Sequence, residues 1–176
     1  MVNPVIRQPR RIGLDPISNR EIFHISLDSS TTAFDVSCLA GQQFVCLLVM
    51  DATGTPVAEL RQLCSHLLNG GCAYLCTWGP GCEQVHDLMD EEIVGPNPPK
   101  TDRGCVMTTW HEDESLEDAL AFLLDSGWPY DAYATKGCNA ALIVTVGADD
   151  RAAQIENLSE RVRTVPKTDA IRAASH

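Results

Sequence analysis

Four short, almost wholly apolar runs divide the chain: FVCLLVMD (44–51), CAYLCTW (72–78), CVMTTW (105–110) and ALIVTVG (141–147). Runs this short and this apolar read as strands buried on both faces of a sheet. Between them lie stretches with helical period. Val57, Leu60, Cys64, Leu67 and Leu68 make one stripe, and Val85, Leu88, Met89 and Ile93 a second. Leu116, Ala119, Leu120, Leu123 and Leu124 make a third, and Ile155, Leu158 and Val162 a fourth. Strands alternating with amphipathic helices argue for a parallel sheet covered on both sides. The predicted fold class is therefore α/β, a three-layer sandwich around a mainly parallel four-stranded core sheet. One or two extra N-terminal strands are expected, at Glu21–Leu27 and Ala33–Leu39.

Punctuation supports the same boundaries. Thr55 is the expected N-cap of the first helix, with Pro56 at its first position. Asn69-Gly70-Gly71 ends that helix, and Gly79-Pro80-Gly81 breaks the second strand before a helix over about 82–94. Ser115 with Asp118 makes a capping-box-like start for the third helix, Gly127 stops it, and Asp149 or Asp150 caps the fourth. Residues 1–20 are predicted to be a flexible arm, 21–165 a single α/β domain and 166–176 a frayed tail. Gly95–Gly104 reads as a surface loop, and Trp128–Asn139 as an irregular aromatic connection. A strand order of 2-1-3-4 among the four core strands is the expected topology.

Charge narrows the partners. Fourteen acidic and three basic residues between 51 and 125 carry the whole net charge of −11, while the rest of the chain is balanced. Nucleic-acid binders cluster Lys and Arg, so no nucleic acid is expected here. No apolar run approaches the ~20 residues that cross a bilayer, and residues 1–16 lack the apolar core of a secretory signal. No membrane partner is expected, and the predicted location is cytoplasmic. Of the eight cysteines, Cys46, Cys76 and Cys105 lie in strand runs and Cys64 on a helical stripe. They read as small buried hydrophobes and reduced thiols rather than a disulfide framework or a zinc site.

The candidate chemistry gathers at strand ends, where open α/β sheets bind ligands. Cys82 opens a helix after a tight glycine turn, a place that favours a thiolate, and His86 lies one turn on as a base. His111 ends the third strand. Cys82, His86 and His111 are the candidate catalytic residues, opposed by the acidic neighbours Glu83 and Asp87. Asp51, Trp78, Trp110, Glu112 and Asp113 are the candidate ligand-binding residues, the two tryptophans walling a pocket for a flat ligand. Equally, the tryptophans are core and the acids are ordinary helix caps. No metal site and no cofactor are predicted. A divalent metal is the alternative, held by Cys82, His86, His111 and Asp113 or by Asp51, Asp113 and Asp149. With the order 2-1-3-4, however, the second and third strands stand ~9.5 Å apart.

The segments WGPGCEQVHD (78–87) and MTTWHEDESLEDALAFLL (107–124) resemble a group of uncharacterised bacterial proteins that share WGPxCExxHD and TTWHxDE motifs. The resemblance spans roughly residues 44–147 and departs from the pattern at Gly81, where the group carries an acid. It implies a bacterial, cytosolic α/β domain and no particular activity. Two functions remain open. One is a small binding or interaction module with a pocket at the strand C-termini, taking a small molecule or a basic protein partner. The other is a Cys/His-dependent or metal-assisted hydrolase on the same rim.

Overall fold

The computed structural model describes residues 6–39, 43–95, 105–129, 137–147 and 149–164. In chain order its elements are β1 (Arg10–Leu14), β2 (Glu21–Leu27), β3 (Phe44–Val49), α1 (Val57–Gly70), β4 (Cys72–Trp78), α2 (Cys82–Val94), β5 (Met107–His111), α3 (Leu116–Asp125), β6 (Ala140–Val146) and α4 (Asp149–Thr164). The six strands form one sheet in the order β1-β2-β6-β3-β4-β5. Only β1 runs antiparallel to its neighbour. Alternate residues of the strands feed two cores. Cys46, Leu48 and Leu142 pack with the stripes of α1 and α2 on one face. Val45, Leu47 and Ile143 pack with α3, Ile155 and Leu158 on the other. This is the three-layer α/β sandwich, and β3, β4 and β6, buried on both faces, are its centre.

The strand order corrects the expected 2-1-3-4. The fourth core strand, β6, sits beside the first, β3, on the flank away from β4, and β4 and β5 are direct neighbours. The steps from β3 to β4 and from β4 to β5 pass over the α1–α2 face. The return from β5 to β6 passes over the other face, under α3. Keeping every crossover right-handed while reversing direction requires that change of face. The interiors of β3, β4 and β6 are almost interchangeable in their apolarity, so nothing in them singles out a neighbour. β5, expected to be buried on both faces, is instead a partly exposed edge strand, in keeping with its two threonines.

The N-terminal part differs from expectation as well. Residues 10–14, read as part of a flexible arm, form an edge strand. Ile12 is buried, Arg11 pairs with Glu21 at 2.6 Å and Arg10 pairs with Glu156 of α4. A register shift between Arg11 and Gly13 breaks the alternation that would have marked a strand. The expected strand at Ala33–Leu39 reduces to one bridge from Phe34 to Arg7 and a 3₁₀ turn at Ser37–Leu39. Asp35 accepts from the Ser37 amide at 2.7 Å, a local bond that competes with pairing. Helix α1 starts one residue later than expected. Pro56, not Thr55, is its N-cap, Val57 is exposed, and Leu63 takes a place in the stripe. Its end is as expected, with Gly71 left-handed and its N–H bonded to the carbonyls of Leu67 and Leu68. The stripe of α3 and its Ser115 cap are also as read. Cys105, placed in a strand from the sequence, is exposed and precedes β5. The side chains of Asp149 and Val162, residues 166–176 and most of the 95–104 and 128–139 connections lie outside the described residues.

Candidate functional site

The rim of β4 and β5 holds most of the residues whose chemistry stands out in the sequence. Adjacency removes the expected gap between these strands, but the pleat then separates what adjacency brings close. Successive residues of a strand point to opposite faces. Trp78 lies opposite His111 in the ladder, and Thr77 opposite Trp110. Trp78 and His111 therefore face α3, while Trp110 faces α2 and meets the His86 ring edge-on at 4.6 Å. His86 and His111 do not come together, and the two tryptophans do not wall one pocket.

Most of the candidate groups on the rim have a local structural partner. His111 is buried; its Nδ1 lies 2.9 Å from Glu114 Oε2 and its Nε2 3.1 Å from Thr109 Oγ1. Its ring also packs on Phe122 at 4.7 Å. Trp78 Nε1 donates to the Glu114 carbonyl at 2.9 Å. Glu112 accepts from the Gly81 amide at 3.1 Å, so it holds the turn that precedes α2. Thr77 Oγ1 donates to the Cys82 carbonyl at 3.0 Å. Cys82 itself is buried. Burial pushes its thiol pKa up, against the opposing effect of the His111 backbone N–H, and the charge of Glu112 adds to the rise. A thiol held protonated under the turn is a poor nucleophile. Asp113 is exposed on the turn before α3. Among the described residues no three His, Cys, Asp or Glu side chains gather as a metal cage.

The second location follows from the strand order. β3 and β6 are neighbours whose C-terminal ends lead to opposite faces, β3 to α1 and β6 to α4. Such a switch point leaves a crevice that no crossover covers, the usual ligand position in an open α/β sheet. A cleft of about 520 Å³ lies there. Its lining includes Met50, Val146, Ser30, Thr53 and Thr55, and Asp51, Glu59 and Arg151 carry the charges. The adjoining β4 turn is fixed against it. Gly79 adopts φ +111°, and a side chain there would meet the Met50 carbonyl at 2.2 Å. Ala52 donates its N–H to the Pro80 carbonyl at 2.8 Å.

Electrostatics distinguish the cleft from the rim. Asp51 accepts from the Thr53 amide at 3.0 Å and from the Thr53 hydroxyl. These bonds, and then the charge of Arg151, hold its carboxyl below the ordinary value. Arg151 stands in the first turn of α4, where the helix dipole disfavours a cation. Its guanidinium lies 5.8 Å over the Trp78 ring, and it makes no ion pair among the described residues. Ser30 donates to one oxygen of Glu59 at 2.7 Å. The α1 N-terminus also opens on the cleft, with no side chain capping it. Of the sequence candidates only Asp51 lies here. Ser30, Thr53, Thr55 and Arg151 were missed. The one available signal was an arginine at the wrong end of a helix.

A family model described as a domain of unknown function, DUF7684, matches residues 21–162. The comparison with curated proteins gives no match. Among the described residues no helix is long and apolar enough to cross a membrane.

Proposed function

Because the chain belongs to this family of unknown function, its activity has to be argued from the site, and we propose that it is a binding module for a small polar ligand held in the β3–β6 cleft. The observation that carries this reading is the set of charged side chains lining the cleft at the switch point: an ionised Asp51, Glu59, and Arg151, which makes no ion pair among the described residues. The ligand class follows from these charges. It offers hydroxyl or amino donors to Asp51 and an anionic group to Arg151, as hydroxy acids, amino acids and sugar phosphates do. The hydroxyls of Thr53 and Thr55 supply adaptable hydrogen bonds. We place the module in a bacterial cytosol, on the resemblance of its 78–87 and 107–124 segments and on its eight free thiols.

Ligand-observed NMR with a panel of those three classes tests the reading. At least one class binds the wild type, with amide shifts at residues 29–30, 51–59 and 146–151. Arg151→Ala and Asp51→Asn each weaken it about tenfold or more, the cost of a lost charge-assisted hydrogen bond. Shifts that cluster on β5 instead, or binding unchanged in both variants, dismiss the cleft as the site.

A further inference from the structure

The β5 edge is independent of the cleft. β5 pairs with β4 on one side, and among the described residues no strand lies beyond it. A bare edge presents unpaired N–H and C=O groups, and folded proteins blunt such edges with lysines, prolines or bulges. The sequence MTTWH contains neither Lys nor Pro, and its register with β4 is unbroken. Two large apolar side chains stand out from it instead, Met107 at 41% exposure and Trp110 at 48%. Trp110 is held in place by the His86 ring, which Asp87 anchors at 3.0 Å. A fixed, half-exposed aromatic is the usual anchor of an interaction surface.

Charge selects the occupant. Asp87 and Asp90 of α2, with Glu112 and Asp113 after β5, are exposed beside Trp110. Arg61 takes up Glu91 and Glu92 on the side of α2 toward α1. Among the described residues no Lys or Arg pairs with the other four, and His86 is the only ion-pair partner of Asp87 and Asp90. A second copy of this chain would bring the same carboxylates against themselves. We propose that the β5 edge receives an extended lysine- or arginine-bearing segment of a partner protein. The segment adds as a strand beside β5, rests an apolar side chain on Trp110 and sets its cations among the four carboxylates.

The test uses the full chain and a fluorescent hexapeptide of alternating Lys and Val, with a Glu–Val peptide as control, followed by anisotropy at ionic strengths of about 0.05 M and about 0.5 M. The Lys–Val peptide binds, weakens at the higher salt and shifts the amides of residues 107–111; the Glu–Val peptide does not bind. Trp110→Ala, checked for folding by circular dichroism, weakens binding about tenfold. Met107→Lys does the same by blunting an already exposed position, and it decides the matter if Trp110→Ala does not fold. Equal binding of both peptides, shifts centred on the cleft, wild-type affinity in the folded variants, or dimerisation through β5 without peptide each overturns the proposal. Failure of the cleft to bind a small ligand leaves it intact.

Discussion

The β4–β5 rim and the β3–β6 cleft lie along the same edge of one sheet, yet they are built for different ends. On the rim, the residues that look catalytic are bonded to their own surroundings: His111 to Glu114, Trp78 to the Glu114 carbonyl, Glu112 to the Gly81 amide. Those bonds tie α2 and α3 to the sheet. In the cleft, Asp51 is bonded to Thr53, but Arg151 makes no ion pair among the described residues and sits where its own helix gains nothing from it. Residue types alone rank the rim higher, since it holds the histidines, the cysteine and the tryptophans. Burial and bonding reverse the ranking for small-molecule chemistry, because Cys82 and His111 are buried and His111 is bonded at both ring nitrogens, while Arg151 makes no ion pair among the described residues.

Four experiments press on this contrast. The largest effect concerns thiol labelling. Exposed Cys105 reacts with a disulfide reagent, while Cys82 reacts at least about a hundredfold more slowly, as for a site that needs ~2.7 kcal/mol of local opening. Comparable rates for the two would return Cys82 to the list of nucleophiles. Next, His111→Ala destabilises the fold by about 2–3 kcal/mol in urea, through a lost buried ring and two lost hydrogen bonds. It leaves affinity for a cleft ligand unchanged. A catalytic His111 would give the opposite pattern, intact stability with lost activity.

In the cleft the expected stability changes are smaller. Arg151→Ala moves stability by less than about 0.5 kcal/mol, since relief at the helix terminus offsets a distant contact with Trp78. A loss much larger than that marks Arg151 as structural. Smallest is the pH dependence of Asp51. Its carboxyl is held below the ordinary value in the fold, so its contribution is present above the unfolded pKa of about 3.9 and fades as the pH falls through the lower folded pKa. Asp51→Asn therefore lowers the melting temperature slightly at neutral pH, and the difference from wild type closes in acid. A difference that widens in acid reverses the assigned sign.

Much of the local structure is legible in the residues. The stripe of α3, the Ser115 cap with Asp118 and the stop at Gly71 each depend on groups within one or two turns. Asp51 is legible as a candidate because an acid ending a buried strand stands out. Arg151 is not, because the residue that shares its cleft, Asp51, is a hundred positions away in sequence. His86 and His111 stand apart for a related reason. Both residues belong to the same rim, but only the register of β5 against β4 decides which face each one takes.

The sequence by itself determined that this chain is an α/β sandwich, because apolar period and helix capping are short-range properties carried by each segment. Tertiary structure alone decided that β6 lies beside β3, and with that where the crossovers part. Neighbour choice in a sheet of similar apolar strands is settled by how helices pack and which way connections turn, and these depend on the whole chain at once.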